Sequence, residues 1–420
     1  VNELQSVVDA YVEARARGER AALATVVGVV GSAYRRPGAR MLITGGGRAA
    51  GSISGGCLER DVAERAARVM ETGAARVVEY DTRGDEDVVW GLGLGCNGVV
   101  RVLIESLHEG GSAARALRFI GGRLRERRPG VLATVIRAPE ATRESGARYE
   151  GAAYRFDRLG ERLPLDESES DRRDDQGAGG GLVARIREDA RAALAAGRAA
   201  ARVYGSGADR IEVFFDLIRC PRPLVIFGAE HDADHVARLA RGVGWHVTVV
   251  DTRAREASRR RFAAADEVVL CRAGEVASRV ALSRETAAVV MTHNYLDDAE
   301  LLRALLPSPA RYVGVLGPKR RTEKLLEELR AGGEPPARAQ LARLHAPVGI
   351  DIGAETPEEI ALSIVAEIKA ACDARPAGFL RDGLGPIHGG RGEDAGPTEL
   401  SSGPCLATGG AAREIYCGTS

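Results

Sequence analysis

Hydrophobic positions follow two different periods along this chain, and the switches between them outline its elements. Residues 4–17 carry apolar side chains at helical spacing, which assigns Val7, Val8, Tyr11 and Val12 to one face, with Gly18 as the stop. Strand-like runs follow at 22–30 and 40–44, joined by the polar segment 31–39. The triple glycine 45–47 turns the chain into a third strand that ends in a glycine-rich loop at 51–56. A helix is expected after that loop, then a strand at 76–80, a long apolar strand at 99–105, a helix at 113–127 and a strand at 131–137. A helix at 182–196 and a strand at 211–218 complete this half.

After Pro221 and Pro223 the pattern becomes a regular alternation. A strand at 224–227 feeds a turn and a helix to about 242, the next strand at 246–250 ends in Asp251, and strands at 267–270, 287–292 and 311–315 alternate with helices. Thr356-Pro357-Glu358-Glu359 is a capping box with proline at the first helical position, which starts a helix running to about 371. The expected fold class is therefore α/β. A mixed α/β domain at 1–219, with an exposed excursion near 160–181, precedes a doubly wound Rossmann-like domain at 220–375 whose sheet is mostly parallel. Residues 376–420 shift to Gly, Pro and Ser and read as a poorly ordered tail.

Composition narrows the function classes. Lys and Arg total 59, as do Asp and Glu, so the formal net charge is zero and no global field favours nucleic acid or an anionic membrane. No apolar run reaches the length of a membrane span and the first residues lack a basic secretory start, so the expected location is the cytoplasm. Seven cysteines are scattered without a C-x-x-C pair, which removes zinc-knuckle and thioredoxin-type motifs.

Function must then come from local sites. The sharpest is Gly51-Ser52-Ile53-Ser54-Gly55-Gly56-Cys57-Leu58-Glu59, which brings a cysteine to the start of a helix. Free N–H groups there favour an anion, or a thiolate at Cys57, while Ser52 and Ser54 supply hydroxyls and Gly55 and Gly56 let a ligand approach the main chain. The same residues also suit a tight turn with a small buried cysteine. Arg35 and Arg36 are placed to reach this loop across the sheet end. A second glycine loop, Gly91-Leu92-Gly93-Leu94-Gly95-Cys96-Asn97-Gly98, carries Cys96.

In the Rossmann-like half, Gly228 and Ala233 fit a G-x-G-x-x-A fingerprint, and Asp251 stands where an acid meets a ribose hydroxyl. Glu230 occupies the second glycine position, where its bulk and charge oppose a pyrophosphate, so NAD(P) is a weakened candidate. His293 follows one strand end and Lys319, Arg320 and Arg321 follow another, making both loops candidate site walls.

These motifs, in this order, resemble the XdhC/CoxI family of xanthine dehydrogenase and carbon monoxide dehydrogenase accessory factors. The residues that carry the resemblance are Pro37-Gly38-Ala39, the Cys57 and Cys96 loops, Phe227-Gly228-Ala229, Thr292-His293, the segment 315–321 and His345-Ala346-Pro347-Val348-Gly349-Ile350-Asp351-Ile352-Gly353-Ala354. It spans about residues 1–372. The resemblance implies a molybdenum cofactor, in the molybdopterin form with or without a cytosine nucleotide, held during sulfuration and passed to a molybdenum hydroxylase apo-enzyme. It makes Cys57 and Cys96 the candidates for molybdenum contact, thiolates being soft ligands. A cysteine desulfurase and a second copy of the chain are further candidate partners, and an NAD(P)-dependent oxidoreductase is the alternative. Glu230 and Asn97 depart from the family pattern, each standing where glycine is usual.

Overall fold

The computed structural model describes residues 3–82, 98–138, 153–156, 180–332, 335–383 and 412–415. Two compact units emerge, one formed by Glu3–Cys220 with His388–Ser420, the other by Pro221–Ile387 with Val1–Asn2.

The first unit opens with helix α1 (Glu3–Ala16), followed by β1 (Ala21–Gly31), β2 (Arg40–Thr44) and β3 (Ala49–Gly51). Next come α2 (Glu59–Thr72), β4 (Arg76–Asp81), β5 (Gly98–Ser106), α3 (Ser112–Glu126), β6 (Gly130–Arg137), β7 (Ala153–Phe156), α4 (Gly180–Ala196), β8 (Ala200–Tyr204) and β9 (Ile211–Ile218). A last strand of this unit, β16 (Ala412–Ile415), comes from the far end of the chain. In α1 the buried positions are Val7, Val8, Tyr11 and Ala14, whereas Val12, expected on the same face, is exposed. At 100° per residue, Ala14 rather than Val12 falls on the stripe set by Val7 and Tyr11.

Its two sheets are antiparallel. The larger has the order β16-β4-β5-β1-β2-β3 and the smaller β7-β6-β9-β8. Alternate β1 residues face opposite sides: Ala22, Ala24 and Val26 pack with Val62, Ala66 and Val69 of α2, while Leu23 packs with α1 and α3. The outermost strand β16 belongs to the segment expected to be a tail and pairs its backbone with β4.

Acid–base pairs that residue pattern does not reveal join β2 and β5 of the larger sheet to β9 of the smaller. Arg101 grips Glu212 with two hydrogen bonds of 2.6 and 3.2 Å, and Arg40 sits 2.5 Å from Asp216, with all four side chains buried. Glu105 is also buried, and loss of hydration pushes its carboxyl up to about 7 against the opposing pull of Arg40.

The second unit is a Rossmann domain. Strands β10 (Pro223–Phe227), β11 (His246–Asp251), β12 (Glu267–Leu270), β13 (Ala287–Val290), β14 (Tyr312–Val315) and β15 (Leu344–His345) form one parallel sheet in the order β12-β11-β10-β13-β14-β15. Numbered within the unit, this is 3-2-1-4-5-6, the doubly wound order. Its principal helices are α5 (His231–Gly242), α6 (Tyr295–Leu305), α7 (Lys319–Ala331) and α8 (Pro357–Cys372). Leu224 and Ile226 pack under α5 and α8, while Val225 and Phe227 pack under α6, so both faces of β10 are covered. The two-residue strand β15 was too short to show as a pattern.

Candidate functional site

In the Cys57 loop the main chain gathers around one side chain, Glu59. Its carboxylate accepts hydrogen bonds from the N–H groups of Ile53 (3.3 Å), Ser54 (3.0 Å), Gly55 (3.1 Å), Gly56 (2.9 Å) and Leu58 (3.2 Å). The hydroxyls of Ser52 and Ser54 donate to it as well. Burial works against the charge, but these donors outweigh it and hold the Glu59 carboxyl at about 2. Ser54 Oγ also accepts from Leu58 N at 2.9 Å, closing the turn before α2.

This revises the expectation for the loop. The amides thought to be available for an anionic ligand or a Cys57 thiolate are spent on a carboxylate from the same motif. An acid three residues beyond the last glycine was the available signal, since such a side chain reaches back to the N–H groups at a helix start.

Cys57 itself is half-buried and free of any disulfide. It borders a small cleft with Tyr34, Arg35, Leu58, Thr82 and Val100. Gly55 packs directly beneath the Tyr34 ring, where a Cβ would come within 2.7 Å of it, whereas at Gly56, with φ +119°, a Cβ would meet open space. The loop is therefore closed on one side and accessible beside the cysteine.

Arg35 does reach towards this loop, through Glu3: its guanidinium lies 2.5 Å from one Glu3 oxygen, and the other accepts from Ser52 N at 3.0 Å. Cys96 and Asn97 lie outside the described residues. The flanks of their segment are pinned at the cleft, because Thr82 lines it and exchanges hydrogen bonds with Gly98 at 2.8 and 3.1 Å.

In the Rossmann unit Gly228, Asp251 and His293 lie at the carboxyl ends of β10, β11 and β13. Gly228, with φ +127°, lies so close to the next strand that a Cβ would fall 2.2 Å from Met291 O, so only glycine fits this turn. His293, at φ +56°, turns its Nε2 to within 2.8 Å of Asp232 Oδ2 at the start of α5, linking the β13 and β10 loops.

Asp251 is fully buried and already engaged. Its carboxylate accepts from Ser258 Oγ (2.6 Å), Arg253 N (3.0 Å) and both Arg255 N and Nε (3.2 and 3.1 Å). Burial opposes its charge, yet these bonds lower its pKa. The acid expected to meet a ribose instead anchors the β11 loop.

Glu230 does not stand as an isolated negative charge. Its Oε1 lies 2.9 Å from Arg253 and 3.2 Å from Arg255, with Arg261 3.9 Å from the other oxygen. Lys319 and Arg320 are exposed on the first turn of α7. Arg321 instead points inward, 2.5 Å from the buried Asp298, which accepts from Thr292 Oγ1.

Similarity to known proteins decides the family. Residues 14–81 match the XdhC and CoxI family and residues 224–368 match the XdhC Rossmann domain. A relative from Bacillus subtilis, described as a probable xanthine dehydrogenase component, is 31% identical over 369 residues, spanning 88% of this chain and 97% of that protein. The chain belongs to the XdhC and CoxI family. A more distant relative, the molybdenum cofactor insertion chaperone PaoD of Escherichia coli, is 24% identical over 357 residues and 85% of each chain. The crystal structure of a xanthine dehydrogenase from Bacillus halodurans superposes with a TM-score of 0.67 at 25% identity, covering 89% of this chain and 97% of that one. The XdhC/CoxI motifs and the Rossmann order thus coincide in one molecule. Among the described residues no helix is long and apolar enough to cross a membrane.

Proposed function

We propose that this XdhC/CoxI protein is an accessory factor for a molybdenum hydroxylase of the xanthine dehydrogenase class. In this reading it holds the molybdenum cofactor at the Cys57 loop during sulfuration and passes it to the apo-enzyme. The observation that carries the proposal is Cys57, half-buried at the edge of a small cleft on a loop whose backbone is locked by Glu59. A soft sulfur donor suits molybdenum, and a preorganised loop binds at lower entropic cost. The loop fits the metal end of the cofactor better than its phosphate end, because the amides that would cradle a phosphate already serve Glu59. Phosphate recognition then falls to guanidinium groups, with Arg35, which lines the same cleft as Cys57, and Arg36 as candidates. The insertion role of PaoD supports delivery as the task, and the 97% coverage of the Bacillus subtilis relative supports a factor of similar extent.

Cys57→Ser tests this. It preserves size and hydrogen bonding but removes the soft sulfur, so thermal melts should stay close to wild type while molybdenum and pterin retained after gel filtration fall at least tenfold. Wild-type retention by the serine variant would overturn the assignment.

The second reading, an NAD(P)-dependent oxidoreductase, draws on the 3-2-1-4-5-6 strand order and the tight Gly228 turn. It requires rearrangement of both Asp251 and Glu230, whose carboxylates are engaged by Ser258 and the nearby arginines. Hydride transfer from NAD(P)H to a carbonyl substrate by the purified chain would establish it.

A further inference from the structure

The first turns of α5 hold a pair of histidines that neither the cofactor reading nor the fold requires. His231 and His235 are four residues apart, so they share one helix face. Their Nε2 atoms approach to 3.4 Å, with ring centroids 4.8 Å apart and ring planes at 88°. Two nitrogens each about 2.0 to 2.1 Å from one tetrahedral metal ion are separated by about 3.3 to 3.4 Å. The pair therefore already has the spacing of two ligands on one metal.

We propose that His231 and His235 form a two-histidine site for a divalent transition-metal ion at the mouth of the Rossmann crevice. The two Nε2 lone pairs supply the protein ligands. On the far side of the His235 ring, the Glu358 carboxylate lies 3.6 Å from Nδ1. The carboxylates beside the pair are already engaged, Asp234 with Arg238, Asp232 with His293 and Glu230 with Arg253 and Arg255. His293 does not join the set, because its Nε2 is paired with Asp232. No cluster of three or more His, Cys, Asp or Glu forms a metal cage among the described residues. The other coordination positions thus fall to water or to an oxygen ligand entering the crevice, and imidazole ligation ranks Cu²⁺ above Ni²⁺ and Zn²⁺.

Zinc titration of the full chain, followed calorimetrically at pH 7.5, tests the site. The wild type should show one equivalent that His231→Asn and His235→Asn each weaken at least tenfold, with the double variant no worse than the weaker single one. His231 is exposed, so His231→Asn decides the matter even if His235→Asn folds poorly. Zinc binding by His231→Asn equal to wild type in stoichiometry and affinity would overturn the site and leave the pair as hydrogen-bonded imidazoles.

Discussion

The Cys57 loop and the Gly228 turn each place a glutamate where an anionic ligand was expected, and the two glutamates are held in opposite ways. Glu59 is surrounded by five main-chain N–H groups and two serine hydroxyls, donors fixed by the fold. Glu230 faces Arg253, Arg255 and Arg261 on flexible side chains, and its own side chain is about a third exposed. Donors on the backbone can be satisfied only by something in that spot, so Glu59 is part of the loop's architecture. Guanidinium groups can turn to another partner, so Glu230 is exchangeable for an incoming anion.

The widest separation between the two should come from deletion. Glu59→Ala leaves the loop donors without their charged acceptor and should destabilise the protein by about 3 to 4 kcal/mol, with water recovering part of the loss. Chemical denaturation reads the effect. The milder Glu59→Gln isolates the charge. Because the folded Glu59 carboxyl is held near 2, below its ordinary 4.5, its contribution is full above pH 4.5 and is lost as pH falls towards 2. Screening at this partly exposed site limits that contribution to about 1 to 2 kcal/mol. A wild-type melt by Glu59→Ala would show that the loop amides are satisfied equally well by solvent.

Glu105 supplies an acid whose burial dominates its environment, and its pH dependence has the opposite sign. Its folded pKa of about 7 exceeds the ordinary 4.5, so the folded state holds the proton more tightly and stability declines as pH rises through that window. Glu105→Gln should remove this decline, stabilising the protein by about 2 to 3 kcal/mol above pH 7 and little at pH 4.5. Parallel stability–pH curves for variant and wild type would refute the assignment.

Glu230→Ala should be the smallest effect on stability, under about 1 kcal/mol, as expected for a partly exposed ion pair. Its consequence should appear in binding instead. Release of Arg253 and Arg255 should raise affinity for inorganic phosphate or NADP in the crevice, and unchanged affinity would mean that these arginines do not face the ligand path.

Much of the Rossmann unit was legible because its central parallel strands are buried on both faces and written as short apolar runs, as in residues 224–227 and 287–290. The family resemblance was legible because its motifs sit in loops with unusual glycine content. What pattern did not reveal was who satisfies whom. Glu59 and Glu230 look alike as letters, and only the folded main chain shows that one meets amides and the other guanidinium groups. Arg101 and Glu212 are 111 positions apart, a pairing that no local spacing encodes. Val12 was misplaced because a single apolar letter beside the stripe looks the same as one on it.

The strand Ala412–Ile415 has a bearing on how the protein is made. It completes the flank of β4, whose last residue is Asp81, so its partner leaves the ribosome roughly 330 residues later. At elongation rates of about 5 to 20 residues per second, that gap is on the order of 15 to 65 seconds. For that time the nascent first unit carries a row of open backbone groups able to recruit any extended segment nearby. Translation speed through the intervening Rossmann unit, rather than the equilibrium stability of either part, would then set how long newly made chains are exposed to mispairing.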